Sequence, residues 1–434
     1  DSNPLAGNVF LMIDTLSDLR PMIKLAGKSW LSRCIPKAER VLEPLLKVLL
    51  DPNVVRIDNL YVAPFDTRRI VYVLNLLYDI VSCDFVFIPS TIVKPTNFTD
   101  LTVLHAQQEL HASQSKHPEY AVAPFSVHTY TDFILAAIVR FIQGFPNPEI
   151  ESSDEFKQGV AMVQSTAAGL LDFILMKLID KNQACSFAMS IQERISFTLH
   201  FAVEHSDFVF QTQLLKLLKD ILSLRKDYYT GTTKTPTVIE SPLFIQTLTR
   251  GLQQPLSGSV RFYWVDFIDV LMNNFSKDLK LFVTPISRCL CDIIFGIENI
   301  YAFQLTREIL IILESLYKIM SACLHDFSEK EQATATIPQP SKGGLLSGMV
   351  STIFASDEPQ ILDPIGEIRK ELLSSLPYIL KVFLFLWRQN PQGDDEISNK
   401  FKIQDRIVKI LDPIFLNFSN ELLYAFCLLV ENYR

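Results

Sequence analysis

What most limits the folds open to this chain is an apolar pattern that returns every 3.6 residues, segment after segment, along its whole length. Segments of roughly 12 to 22 residues carry it. They fall near 6–20, 22–34, 38–50, 66–83, 126–143, 154–180, 186–204 and 207–225, and then near 241–253, 258–275, 278–296, 300–325, 344–355, 364–388, 400–410 and 413–431. Short polar breaks separate them, and no strand–helix–strand alternation interrupts the series. Helices this apolar cannot stand alone in water, so each must bury a face against its neighbours. Many consecutive helices with short links predict an all-α fold, an α-solenoid of degenerate HEAT- or armadillo-like helical pairs with a few long loop insertions. A globular helical bundle is the competing arrangement. The chain is read as one helical solenoid segment over residues 1–434.

The clearest sample of the unit is Trp30–Ile80. Leu42, Leu45, Leu46 and Leu49 share one helical face, and Asp51-Pro52 ends that helix. After a loop, Asp66-Thr67 supply capping residues, and Ile70, Val73, Leu74 and Leu77 form the face of the next helix. A weak internal repeat supports the array. Arg40–Leu50 (RVLEPLLKVLL), Leu281–Leu290 (LFVTPISRCL) and Lys409–Phe418 (KILDPIFLNF) share a proline set among apolar steps. Pro44, Pro285 and Pro413 are expected in the first turns of their helices, where a missing N–H costs little. No strict short period is present.

Composition narrows the class further. Hydrophobic residues make up 48% of the 434 and charged ones 20%, so large buried surfaces are required and global disorder is excluded. Only 14 glycines are present, which disfavours the many tight turns of a β-sandwich or barrel. A net charge of -8 provides no broad basic surface, and nucleic acid is not an expected partner. Cys34, Cys83, Cys185, Cys289, Cys291, Cys323 and Cys427 are odd in number and mostly embedded in apolar helical stretches, which points to a reducing compartment. The triplets at Asn97, Asn274 and Asn417 are then chance glycosylation matches. Gln158–Leu171 and Gly343–Ser356, the longest uncharged runs, are too short to span a bilayer. The first residue is not Met, and the chain is expected to be a segment of something longer.

Several stretches break the pattern. Residues 85–125 form a polar insertion with Pro89, Pro95, Pro118 and Pro124. Arg225–Ser241 reads as a loop. Residues 326–356 are expected to be a mobile insertion that ends in an amphipathic helix. Gln389–Asn399 reads as a solvated loop that carries Asp394, Asp395 and Glu396.

The motifs of reaction chemistry are incomplete in this chain. Ala26-Gly27-Lys28-Ser29 resembles the end of a phosphate-binding loop, but Met22 stands where its first glycine is needed. His200, Glu204 and His205 are one residue too widely spaced for a zinc-binding H-x-x-E-H, so the two imidazoles point to different faces. His105, His111 and His117 recur every six residues and do not converge on a helix. Cys289 and Cys291 point to opposite sides of one helix, as core packing requires. Paired carboxylates such as Asp394-Asp395 sit where nothing would raise a pKa. No metal, no cofactor and no enzymatic activity are expected.

Contact surfaces are the remaining candidates. Arg68-Arg69 could meet an acidic partner or form an ordinary solvated helix surface. Tyr228-Tyr229 are loop aromatics of the kind used at interfaces, unless they dock back on the solenoid. Trp30 reads as a wedge between helices. In Ser341–Ser356, Leu345, Leu346, Met349, Val350, Ile353 and Phe354 form one helical face, opposed by Ser, Thr and Gly with no charge. That pairing suits a packing-defect sensor on a curved membrane, or a helix docked on the solenoid. Six partly buried side chains give on the order of 1 kcal/mol each, and ordering the segment costs a comparable sum. Membrane insertion would therefore need a second contact.

Within Trp30–Ile80, the run Ser29-Trp30-Leu31, then Arg40, Val41, Glu43-Pro44-Leu45-Leu46, Leu49-Leu50, Pro52 and Arg56, resembles the middle-to-late part of Dopey family proteins. Asp66, Arg69, Tyr72 and Leu74 resemble the family's following helix. The similarity covers roughly fifty residues, with motifs of moderate specificity, because leucine-rich helices with a proline recur in many solenoids. The resemblance implies a non-enzymatic adaptor in endosome-to-Golgi transport, cytoplasmic and peripheral on those membranes. It implies partnership with a large GEF-like Golgi scaffold of the Mon family and contact with phosphoinositide membranes. It also implies links to a phospholipid flippase and to kinesin. It carries no short site motif to place on individual residues here. An α-solenoid cargo receptor, for example of the nuclear-transport kind, stays open as the second reading.

Overall fold

The structure, a computed structural model, describes residues 4–34, 38–57, 59–82, 129–149, 153–178, 181–228, 242–254, 258–274, 280–297, 303–324, 364–389 and 394–432. The insertions expected at 85–125 and 326–356 lie outside the described residues. The fold is all-α and solenoid-like, with fifteen α-helices among the described residues and one two-stranded hairpin. The chain divides into two compact units, Asp1–Val238 and Ile239–Arg434.

The first unit contains α1 (Pro4–Asp14), α2 (Pro21–Cys34), α3 (Ala38–Leu49), the hairpin β1 (Arg56–Ile57) and β2 (Leu60–Tyr61), and α4 (Thr67–Ser82). After them come α5 (Tyr130–Ile142), α6 (Asp154–Phe173), a π-helical turn (Ile174–Leu178), α7 (Lys181–Glu204) and α8 (Phe208–Tyr228). Two layers result. Helices α1, α4, α6 and α8 follow one another in one layer, and α2, α3, α5 and α7 in the other. Hairpins α3–α4, α5–α6 and α7–α8 bridge the layers, which is the stacking of helical pairs that the periodicity predicts.

The predicted faces form the core. Leu42, Leu45, Leu46 and Leu49 are fully buried, as are Leu74 and Leu77. Each contributes about 2 kcal/mol of burial. Helix α5 is buried on every side, from Tyr130 to Ile142, which makes it the centre of the unit. Its start is fixed by a capping box, in which Asp132 N–H donates to Thr129 Oγ1 at 3.2 Å and Thr129 N–H donates to Asp132 Oδ2 at 2.7 Å. Helix α6 with its π turn, over Asp154–Met176, is long and apolar enough by composition to cross a membrane, yet half of it is buried inside the protein. It packs on α4, α5 and α8 as a core helix.

The loop expected between α3 and α4 contains the hairpin instead. Arg56 pairs with Tyr61 and Ile57 with Leu60, and Asn59 takes a left-handed φ of 66° at the turn. This hairpin grips the α5–α6 connection. Phe145 N–H donates to Asn59 O at 2.8 Å, and Tyr61 N–H donates to Phe145 O at 2.9 Å. Tyr61 lies so close to Gly144 that a Cβ there would come within 2.2 Å of its hydroxyl, so only glycine fits.

The second unit contains α9 (Pro242–Gln253), α10 (Gly258–Asn274), α11 (Lys280–Phe295), α12 (Phe303–Leu324), α13 (Pro364–Arg388), α14 (Asp394–Asn417) and α15 (Ser419–Asn432). Helices α9, α11, α13 and α15 form one layer, and α10, α12 and α14 the other. Trp264 is fully buried, and its ring would meet a Cβ on Gly251 at 2.3 Å, so α9 and α10 approach closely at that point.

Three expectations are corrected. Pro44, Pro285 and Pro413 lie inside α3, α11 and α14, beyond the first turn. Each deletes the N–H that would bond the carbonyl four residues back, at a cost of about 3 kcal/mol. Buried residues flank every one of them (Leu42 and Leu45, Val283 and Ile286, Ile410 and Ile414), and their burial outweighs the lost bond. Gln389–Asn399 is not all loop, because α14 begins at Asp394 and continues through Asp395 and Glu396. The helices expected at 400–410 and 413–431 are one long helix through Pro413 followed by α15.

Candidate interaction surfaces

Asp66 caps α4 by accepting the Arg69 N–H at 3.0 Å, which places Arg68 and Arg69 on the first turn. Arg68 reaches across to Glu155 on the first turn of α6, Nη2 to Oε1 2.5 Å, with both ends largely exposed. Arg69 is exposed and makes no ion pair among the described residues. The two arginines therefore differ, one engaged within the unit and the other facing solvent. Tyr228 closes α8, which runs a turn further than its apolar pattern predicts. Tyr229 lies outside the described residues, as do Leu345, Leu346, Met349, Val350, Ile353 and Phe354.

The surface that sequence reasoning missed is on α14. Its buried stripe comprises Ile403, Ile407, Ile410 and Ile414. A second apolar stripe runs about 120° away around the same helix. Ile397, Phe401, Val408 and Phe415 are 42 to 65% exposed along it, with Gln404 and Leu411 half-buried between them. The steps from 397 through 401, 404, 408 and 411 to 415 alternate four and three, the spacing of a seam that receives another helix. Leu416, Leu423 and Tyr424 extend exposed apolar surface around the corner into α15. The heptad spacing is present in the sequence, but a loop over 389–399 and a helix end at Pro413, as the local pattern predicts, divide it. In the first unit, Leu19, Met22 and Leu25 at the α1–α2 corner are also exposed.

The residues of the incomplete chemical motifs have structural surroundings. Gly27-Lys28-Ser29 lies in the middle of α2, with Gly27 buried against Thr15, so no phosphate-cradling loop is formed. His200 is buried with Nε2 3.3 Å from Glu204 Oε1, whereas His205 is exposed and its Nδ1 lies 2.9 Å from Phe201 O. Among the described residues no three His, Cys, Asp or Glu side chains converge as metal ligands would. Cys289 and Cys291 are both buried, and burial, reinforced by Asp292, pushes each thiol up to about 12. Cys323 is pushed up to about 12 by burial as well. Such thiols are not nucleophiles at neutral pH. Trp30, read as a wedge, is only half-buried, and Trp264 fills that role in the second unit.

Comparison with protein-family models, with curated proteins and with solved structures finds no match.

Proposed function

We propose that this chain is a non-enzymatic scaffold of the Dopey type, which acts in transport between endosomes and the Golgi by presenting surfaces along a helical solenoid. The observation that carries the reading as a scaffold is the outer seam of α14, a helix-sized apolar stripe left open on a well-packed stack. The trafficking assignment rests on the resemblance around Trp30–Ile80. In this reading the protein partner is a large GEF-like Golgi scaffold of the Mon family. The chain sits in the cytoplasm, peripheral on Golgi and endosome membranes, with phosphoinositide lipid as a further contact.

Proximity labelling with the tagged chain in cells tests the assignment. Golgi and endosomal neighbours are expected, and the Phe401→Asp, Val408→Asp double variant is expected to lose them while melting as the parent does. Nuclear-pore neighbours would instead support a cargo receptor, and unchanged labelling by the variant would remove the seam from the account. The membrane arm is separable. Leu346→Asp with Phe354→Asp is expected to abolish flotation with phosphoinositide liposomes at unchanged melting temperature. Unfolding by that pair, with no flotation of the parent, would place the segment in the core.

A further inference from the structure

Helix α2 begins its layer of the first unit and packs on α1 and α3. Met22 and Leu25 stand on its open side, 76 and 61% exposed, and Leu19 just before the helix is exposed as well. Its fourteen residues, PMIKLAGKSWLSRC, carry Lys24, Lys28 and Arg33 and no acid. Lys28 and Arg33 make no ion pair among the described residues.

Helix α15 ends its layer of the second unit and packs on α13 and α14. Leu423, Cys427 and Val430 step four and then three residues along its open side. Leu423 and Val430 are 65 and 59% exposed, and Tyr424 beside them is exposed too. The fourteen residues of α15, SNELLYAFCLLVEN, carry Glu421 and Glu431 and no cation. Both acids are exposed, and neither makes an ion pair among the described residues. The two helices match in length, each has an open apolar stripe, and their charges are opposite in sign.

We propose that α2 of one copy docks on α15 of a second copy, apolar stripe on apolar stripe, with Lys28 and Arg33 set against Glu421 and Glu431. Charge chooses the occupant. A basic helix free of acids is complemented by an acidic surface, and α15 supplies acid and apolar surface together. The open side of α14 shows both signs, with Lys409 already paired to Asp405 at 2.7 Å, and expresses no such preference. The contact joins two different surfaces, so each copy keeps one of them open and association does not close at two. A helix of this length spans about 21 Å. One such pair buries less than a standard interface of about 1,600 Å², so the association is weak.

Sedimentation velocity on the full chain tests the contact. The parent's mean mass is expected to climb beyond that of a pair between about 1 and 100 µM. Met22→Asp with Leu25→Asp removes the α2 surface, and Leu423→Asp with Val430→Asp removes the α15 surface. All four positions are exposed, so each variant is expected to melt as the parent does and to stay monomeric. Mixed in equal amounts, the two should associate again and stop at pairs, since each supplies the surface the other lacks. A monomeric parent, or a monomeric mixture beside an associating parent, would overturn the proposal. Charge reversal leaves the apolar surfaces intact. Lys28→Glu with Arg33→Glu is expected to weaken association about tenfold, and adding Glu421→Lys with Glu431→Lys to the same chain to restore it within about threefold. Failure of the second pair to restore it would contradict the assigned partner. Flotation of a monomeric parent with phosphatidylserine liposomes, lost in the Met22→Asp, Leu25→Asp variant, would give α2 to a lipid surface instead.

Discussion

In the first unit, the buried polar clamp on α5 joins a side chain to backbone, whereas the Arg68–Glu155 pair between α4 and α6 is exposed. Arg140 of α5 is buried and donates to Leu49 O at 3.0 Å and to Val54 O, and its own carbonyl accepts from Arg56 Nη1 at 2.5 Å. In the second unit the corresponding contacts join side chain to side chain, within the α10–α12–α14 layer. Arg261 pairs with Glu308 and Asp269 with Lys318 between α10 and α12, and Glu314 pairs with Arg406 at 2.5 Å between α12 and α14. The difference follows from what each unit stacks. The first has a hairpin-bearing connection between α3 and α4, whose carbonyls at Leu49 and Val54 face α5 and need a donor with several N–H groups, which Arg has. The second, in its described part, stacks helix directly on helix, whose carbonyls are already used, so charges on adjacent helices find one another.

That contrast gives graded predictions. The largest effect is expected from Arg140→Met, which leaves several buried carbonyls without donors and costs the first unit about 3–4 kcal/mol, read by urea denaturation. A smaller loss, roughly 2–3 kcal/mol, is expected from Arg261→Met, which strands Glu308 in a nearly buried setting. Adding Glu308→Gln should recover much of that loss, because two neutral partners leave no uncompensated charge, whereas no single second change rescues Arg140→Met. If the second unit's double variant is no better than its single one, the ion pairs are not what locks that layer. The smallest effect is expected from Arg68→Ala. Its pair with Glu155 is exposed at both ends, so stability should move by less than about 0.5 kcal/mol.

The fold was legible in the sequence to the extent that burial sets it. The stretch 364–388 reads as a helix and is one, and the leucine faces of α3 and α4 point inward as their spacing requires. Features that depend on contacts distant in sequence were not legible. Nothing local to Arg56–Tyr61 says that Phe145 will complete its hairpin. A lone arginine within YTDFILAAIVRFI was the available sign of a buried polar clamp, since a charge on a helix otherwise apolar all round must find partners. Prolines are misleading in the sequence, because their local penalty is offset by burial of the residues that flank them. The α14 seam was hidden for the same reason, its heptad cut at Pro413. Arg68 and Arg69 could be named as exposed basic residues, but only the position of α6 decides that one of them is already engaged by Glu155.

Each of the two units is locked by polar contacts of its own. Hydrogen exchange along the full chain of the Arg140→Met variant tests this most directly. The account predicts faster exchange through α3 to α6, with protection of residues 242–432 unchanged. Loss of protection in α10, α12 and α14 together with α5 would contradict it.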